Sequence, residues 1–474
     1  MLYRRVGTGV QVLSVDWCCV GGFSNATQPV RGHHAVGRRS LRRYGQSAAG
    51  HAVTAKPHPA APRAGQMAGG VLLLFVLSAV VDLSQTDAVL TAIFAWSTRT
   101  FGMAWQLLAC GTLMIALGLA ASPFGRVRLG GDGAPEMGRG RWLAIIMCTL
   151  LAGGGVFWSA AEPLYHFIDT PPLFADTVNT DSERAAAALA QSFLHWGFLA
   201  WSLVGTLGVF TLAKLHEQGE PLMPRTLLIP LLGASHGRAR QALGDVVDAV
   251  SVIAALAGTI GPIGFLGLQL AYTARTLLGV DADMWLEVAV VMSLTALAAA
   301  SAASGIDRGI QWLSRLNVSL ALLLTGVLLL IGPVRTLPET FVDGFAAYIG
   351  HLPQMALFRA DAGWLDFWTV FYWGWFLSYG PLMSIFVARI SRGRTVREVV
   401  LAVAVFAPLV TNLWFTVLGG TGLALEMSTP GSVSAALNAD GLPAALLAIL
   451  QQLPLAVLLI PAFVVLTFVF LTTS

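Results

Sequence analysis

Residues 142–160 read WLAIIMCTLLAGGGVFWSA, nineteen residues with no Asp, Glu, Lys, Arg or His among them. At about 1.5 Å of rise per residue, such a run covers about 28 Å as a helix, close to the roughly 30 Å of hydrocarbon in a bilayer. A soluble helix of that length needs a polar face, and this one has none. The stretch therefore predicts a membrane-spanning helix. The rest of the chain has the same character: of 474 residues, 56% are apolar and 11% charged, and mean hydropathy is +0.71. A soluble domain carries roughly 25% charge. One core cannot hide that much apolar surface, which excludes an ordinary soluble enzyme.

Working outward from that run, ten apolar segments are long enough to cross a bilayer, at approximately 68–83, 102–121, 142–160, 186–213, 246–274, 285–306, 310–332, 364–388, 398–422 and 443–473. Several exceed the roughly 20 residues of a straight crossing, so those helices are expected to tilt, break or project beyond the membrane. Loop charge orients them. Of the 28 Lys and Arg, nine lie in residues 1–66, fourteen in the even-numbered loops and five in the odd-numbered ones. That bias predicts a cytoplasmic amino terminus and a multi-pass protein of the cell (inner) membrane. Cations sorted by loop are a topology signal, and no nucleic-acid partner is expected. Cys18, Cys19, Cys110 and Cys148 form neither a disulfide framework nor a metal-ligand spacing.

Residues 1–66 stand apart, with a single acid at Asp16 and no run able to span a bilayer. They read as a basic, disordered leader without the pattern of a secretory signal. Two readings are open: an arm that touches anionic lipid, or, preferred, a mis-assigned start with Met67 as the first residue.

Chemistry is expected where helices open. Gly153, Gly154 and Gly155 sit consecutively in the third span, each lowering helix stability by about 1 kcal/mol relative to Ala. Either the backbone of Leu151–Gly155 unwinds and turns carbonyls toward a ligand, or the glycines allow close helix packing. In the eighth span, Trp368, Tyr372, Trp375 and Tyr379 are spaced by four, three and four and make one aromatic stripe. Pro381 follows at Gly380-Pro381, where a kink or break is expected. The third and eighth spans are five apart and run in opposite directions. Interrupted helices at matching places of two inverted repeats point to a central substrate site. Aromatic faces in a dry pocket attract cations, a quaternary ammonium above all. In the fourth span Trp196 and Trp201 lie about 140° apart on a helical wheel and can wall two sides of such a pocket.

No Asp, Glu, Lys or Arg lies deep within a segment, since Glu162, Glu287 and Asp366 fall near outer span ends. A proton relay normally uses such a residue. His195 is the one titratable group inside a span, and a lone His there commonly bonds two helices. Sodium held by carbonyls and hydroxyls fits better than protons as a coupling ion, with Thr472-Thr473-Ser474 of the right type.

Three stretches resemble the betaine/carnitine/choline transporter family: 153–166 (GGGVFWSAAEPLYH), 195–201 (HWGFLAW) and 368–397 (WTVFYWGWFLSYGPLMSIFVARISRGRTVR). The resemblance runs from about Met67 to the end, making 67–474 one transporter domain. It implies an all-α polytopic membrane protein of LeuT-like fold. Two peripheral helices precede two inverted five-helix repeats, the first at about 142–332 and the second partial at about 364–474. The last two helices of that plan are missing from the sequence. It also implies secondary active, cation-coupled uptake of a quaternary-ammonium compatible solute or precursor, such as glycine betaine, choline or a carnitine-like compound. Trp196, Trp201, Trp375, Phe376 and Tyr379 match the family's aromatic box. Leu151, Ala152, Gly153, Gly154 and Gly155 match its unwound segment. Thr473 and Ser474, with Leu151 and Gly154, match a sodium site. A homotrimer and the lipid bilayer are the implied partners, with no other cofactor.

Departures qualify the resemblance. Phe376 and Tyr379 stand where Trp is frequent in the family, and Val204 where Tyr is. The fifth span reads Gly258-Thr259-Ile260-Gly261-Pro262 rather than a Thr-Ser pair, which argues against a second sodium; nor does that span place an Arg at mid-membrane. The leading expectation is an osmoprotective symporter. Its alternatives are a transporter of another small zwitterion such as an amino acid, or a non-transporting fragment. An enzyme is not expected, because no nucleophile or acid-base constellation is present.

Overall fold

A backbone in hydrocarbon must satisfy its own N–H and C=O groups, so apolar runs of this length become helices. The computed structural model of the chain describes residues 62–473 apart from 132, 234–236, 280–283, 304–310 and 334–335. Among the described residues the regular structure is helical, with one isolated antiparallel bridge between Arg128 and Thr395. Residues 1–61, most of the basic leader, lie outside the description, and Met67 falls within the first helix.

α1 (Pro62–Val81) and α2 (Leu83–Ala121) come first, separated by Asp82, whose side chain accepts from the Gln85 amide and starts α2. Leu74, Val81, Ile93 and Met114 stand in the open on this pair, the kind of surface that lipid covers. α3 (Arg139–Ile168) follows, then α4 (Asp181–Trp196), α5 (Phe198–Gly205) and α6 (Leu207–Glu217), three pieces of one helical stretch. A Thr180–Glu183 capping box opens α4. The short α7 (Ile229–Leu232) leads into α8 (Arg238–Leu278), and α9 (Met284–Ala303) and α10 (Gln311–Ile331) complete the first half.

α11 (Leu337–Ala356) lies along α4. α12 (Ala362–Phe367) and α13 (Thr369–Ile390) share a stretch broken at Trp368. α14 (Val396–Val400), α15 (Ala407–Phe415) and α16 (Thr421–Ser428) share another, joined through wide π-helical turns at Leu401–Phe406 and Thr416–Gly420. α17 (Ser434–Asp440), α18 (Ala445–Gln451) and α19 (Ala456–Thr473) close the described chain. Among the described residues six helical stretches are long and apolar enough to cross a membrane, against the ten expected, with shorter apolar helices at Trp285–Leu297, Leu316–Ile331, Leu442–Gln451 and Ala456–Phe470. The core around α3 is formed by α4, α8, α15 and α19.

Three details differ from the sequence expectation. α2 begins at Leu83, well before the apolar run at 102. α11 adds an amphipathic helix between the seventh and eighth expected spans, with Glu339, Asp343 and His351 breaking its hydrophobicity. The tenth span is two helices rather than one. Pro454 disfavours helix at the residue before it, and Leu455 adopts φ +67°, so the chain turns between α18 and α19.

The connecting segments gather at two ends. At one, Arg128 donates to the Gly393 carbonyl (2.7 Å), the Gly130 amide to Glu217 (2.8 Å) and Arg397 to the Ala120 carbonyl (2.7 Å). Arg225 pairs there with Asp248 (2.5 Å) and Asp245 (2.6 Å). Partial burial opposes the Arg225 charge, but the hydrogen bonds from Asp248 and Asp245 outweigh it and push the guanidinium pKa up. At the other end, Arg275 meets Asp440 (2.9 Å) and Phe174 packs on His351. Loops expected on one side of the membrane thus meet one another.

Candidate functional site

The expected breaks are not where the sequence placed them. α3 runs as unbroken helix from Arg139 to Ile168, so Leu151, Ala152, Gly153, Gly154 and Gly155 are wound rather than unwound. Side chains of 151–154 lie outside the description. In an apolar interior three opened residues leave backbone groups without partners, a cost that exceeds the glycine penalty. Buried Gly155 is met from outside α3 by the indole of Trp414, which donates to its carbonyl (3.1 Å). α13 likewise passes through Pro381 without a break. The breaks fall instead at Gly197 (φ −98°, ψ −142°), Thr206 (φ −124°, ψ −90°) and Trp368 (φ −114°, ψ −92°).

Gly197 ends α4 directly after Trp196. A Cβ there would lie 2.2 Å from the Phe193 carbonyl oxygen and 2.7 Å from the Tyr348 hydroxyl. The Tyr348 oxygen accepts from the Phe198 amide (3.2 Å), which the break has freed. The glycine makes room for the tyrosine, and the tyrosine satisfies the broken helix. Trp196 is thereby held at a helix end and turned inward.

Around Trp196 the rings assemble. Its centroid lies 5.7 Å from Trp375 at 88° and 5.6 Å from Phe376 at 89°, while Trp375 and Phe376 stack at 5.8 Å and 20°. Phe415 (5.4 Å) and Tyr372 (5.5 Å) close two further sides. Trp196, Tyr372 and Phe415 are buried, whereas Trp375, Phe376 and Tyr379 are half-buried and leave faces accessible. One indole thus stands as a wall against a stacked pair, an aromatic corner. Trp201, on α5 beyond the break, is buried but is not brought into ring packing with the others among the described residues. Tyr379 is held one turn past Phe376, away from Trp196.

A proline sets the position of Trp375 and Tyr379. Pro262 has no N–H, so the carbonyl four residues earlier, Gly258 O, lacks its helical donor. Trp375 Nε1 (3.0 Å) and the Tyr379 hydroxyl (2.6 Å) both donate to it. A Cβ on Gly258 would come 2.7 Å from Ser378 Oγ. With their polar atoms engaged against α8, the two residues are left with apolar faces to present.

Behind the corner sits a group that the sequence reading placed at a span end. Glu162 is fully buried. Its Oε2 accepts from Trp196 Nε1 (2.8 Å) and from the Tyr372 hydroxyl (2.8 Å), and its Oε1 lies 2.6 Å from His195 Nδ1. With Nδ1–H toward the carboxylate, His195 Nε2 offers one lone pair, which Gln191 (2.9 Å) and the Thr369 hydroxyl (2.9 Å) share. His166 Nε2 approaches Oε1 at 3.5 Å. Among the described residues neither ring nitrogen of His166 has a hydrogen-bond partner. Glu162, His166 and His195 are also the one group of three such side chains, among the described residues, whose ligand atoms converge within 4.8 Å. The sequence signal was the Glu162/His166 spacing of four, which puts both on one face of α3. Ser474 and the side chain of Thr473, expected at a cation site, lie outside the description, although Thr473 ends α19.

Crossing-length helices around a partly buried aromatic corner mark a multi-pass membrane protein. The model of the betaine/carnitine/choline transporter family matches residues 66–474. Glycine betaine transporter 2 of Vibrio parahaemolyticus serotype O3:K6 is 45% identical over 411 residues, 86% of this chain and 75% of that protein. A glycine betaine/proline/choline transporter of the same organism is 30% identical over 86% of this chain and 76% of its own. An ectoine/hydroxyectoine transporter of Virgibacillus pantothenticus is 29% identical over 85% and 80%. The chain belongs to the betaine/carnitine/choline transporter family. It is a solute transporter and not an enzyme.

Proposed function

We propose that this protein is a secondary active transporter that takes up a quaternary-ammonium compatible solute, glycine betaine or a close relative, by coupling to a cation. The observation that carries the reading is the aromatic corner: Trp196 set perpendicular to the stacked Trp375–Phe376 pair at a helix break. A methylated onium head makes no N–H hydrogen bond, and ring faces hold it by electrostatic attraction and contact. Glycine betaine transporter 2, similar over most of its length, supports the same class of substrate. Labelled betaine uptake by cells expressing the protein is the test. Trp375→Ala or Trp196→Ala is expected to reduce it at least tenfold, and uptake unchanged by both substitutions rejects the corner as the site.

Replacement of Trp by Phe376 and Tyr379 favours a second substrate reading, a bulkier or less cationic zwitterion, as the proline- and ectoine-transporting relatives do by name. Competition by choline, proline, ectoine and neutral amino acids against labelled betaine separates the two.

The remaining elements of the reading follow the family pattern. The fold is LeuT-like, with an inverted repeat pair beginning near 142 and 364, and the amino terminus is cytoplasmic by the excess of basic residues in one set of loops. Sodium is the proposed coupling ion, held by the Thr473 and Ser474 hydroxyls, and protons are the alternative. Trp201 lines the path beside the corner, and the assembly is a homotrimer. Uptake driven by a sodium gradient, and lost on replacing sodium by an impermeant cation, checks the coupling.

A further inference from the structure

A carboxylate buried without a formal cation is costly, and such groups are kept where they are paired or have work to do. Glu162 is fully buried, and among the described residues only His166 and His195 come within ion-pair distance of it. Trp196 Nε1, the Tyr372 hydroxyl and His195 Nδ1 converge on its two oxygens. A carboxylate, which only accepts, takes all three bonds at once. Two of these donors belong to the aromatic corner itself: the Trp196 indole and the Tyr372 phenol present their polar edges to Glu162. The same rings meet Trp375 and Phe376.

We propose that Glu162 is a positioning residue that supplies the negative counter-charge of the substrate's onium head, passed to it through the hydrogen-bonded rings of Trp196 and Tyr372. This rests on the onium reading of the corner. A ring whose N–H or O–H bonds to an anion carries more negative charge on its face, and attraction of a cation to that face is electrostatic. The carboxylate also fixes the angle of Trp196, since a ring hydrogen-bonded at one edge cannot turn about its own bonds. The arrangement discriminates by charge at constant shape: it favours a trimethylammonium over the same tetrahedral group built on carbon.

That discrimination is what the experiment reads. Labelled betaine uptake is competed with unlabelled betaine and with 3,3-dimethylbutanoate, which has the same shape and carboxylate but a neutral carbon in place of the ammonium nitrogen. Glu162→Gln keeps an acceptor for Trp196 and Tyr372 while removing the charge, and its amide N–H pairs with His195 Nδ1 once that ring takes the other tautomer, with Nε2–H donating to the Thr369 hydroxyl. The expected result is a half-saturation constant for betaine raised about tenfold, equal to about 1.4 kcal/mol, with inhibition by 3,3-dimethylbutanoate unchanged or strengthened. A purely structural role weakens both ligands together, and that outcome overturns the proposal, as does a ratio unchanged from the unsubstituted protein. Should Glu162→Gln fail to reach the membrane, Tyr372→Phe removes one donor and keeps the ring, and Trp196→Phe removes the other and leaves a smaller aromatic face. Each is then expected to lower the betaine to dimethylbutanoate preference by part of the full amount, and no change in either rejects the relay. His166→Gln is expected to leave the preference intact; a preference that follows His166 instead assigns the charge to the imidazole and defeats the proposal. If the unsubstituted protein prefers no onium at all, the onium reading fails first, and independently of Glu162.

Discussion

Two helices that face each other across the core behave in opposite ways. α3 holds three glycines in a row and a proline at 163 and still runs unbroken for 30 residues. α4 carries a single glycine after Trp196 and stops there. Local propensity predicts the reverse order. The difference lies in what waits outside each helix. At Gly197 the hydroxyl of Tyr348, 150 residues away in sequence, takes the freed Phe198 amide, and the space beside the glycine is already filled. Along α3 the only outside donor described at the glycines is the Trp414 indole, which adds to the helix rather than replacing its bonds. Where hydrocarbon surrounds the backbone, a helix opens only where another group accepts the loose end.

The strongest way to break this comparison is at Gly197. Gly197→Ala drives a Cβ into the Phe193 carbonyl oxygen and the Tyr348 hydroxyl, which costs about 1–3 kcal/mol of overpacking. It is expected to lower the melting temperature of the detergent-solubilised protein and to cut uptake at least tenfold, because Trp196 is displaced. Wild-type values for both would show that the break is incidental. Tyr348→Phe is the milder version. It removes the acceptor of the Phe198 amide but keeps the ring, for an expected loss of about 1 kcal/mol, seen as a smaller drop in melting temperature. Combined with Gly197→Ala it should add less than the sum of the two, since both act on one contact.

The smallest effect is expected in α3. Gly154→Ala should raise helix stability by up to about 1 kcal/mol and leave uptake as it was, given that the segment is wound. Thermal melting alongside initial uptake rates tests it. A more stable protein that no longer transports would mean that α3 opens in another state of the cycle, and the contrast with α4 would then belong to one state only.

The helical character of the long apolar runs was legible because a backbone in hydrocarbon admits few other structures. α11 was not, because its polar residues place it below any hydrophobic threshold while its buried face, including Leu337, Gly344 and Tyr348, is read only against α4. The aromatic residues of the corner could be named from spacing and family pattern, since a stripe on one helix face is a local property. The breaks that aim them could not. Gly197 is unremarkable until Tyr348 is beside it. Glu162 was read as a span-end acid because it follows the apolar run at 142–160; only the packing of α4 and α13 over α3 encloses it. Gly258 carried a signal that a simple rule would have caught, a proline four residues later that strands its carbonyl.

That stranded carbonyl has a mechanical consequence. Trp375 and Tyr379 both hang from Gly258 O, so α13 cannot slip lengthwise against α8 without releasing two donors together. The pair is in effect riveted at one point, free to pivot there and barred from sliding. A shift of α13 along α8 would break both bonds at once, whereas a tilt about Gly258 O would keep them, and the Tyr372 bond to Glu162 ties the same helix to α3 at a second point.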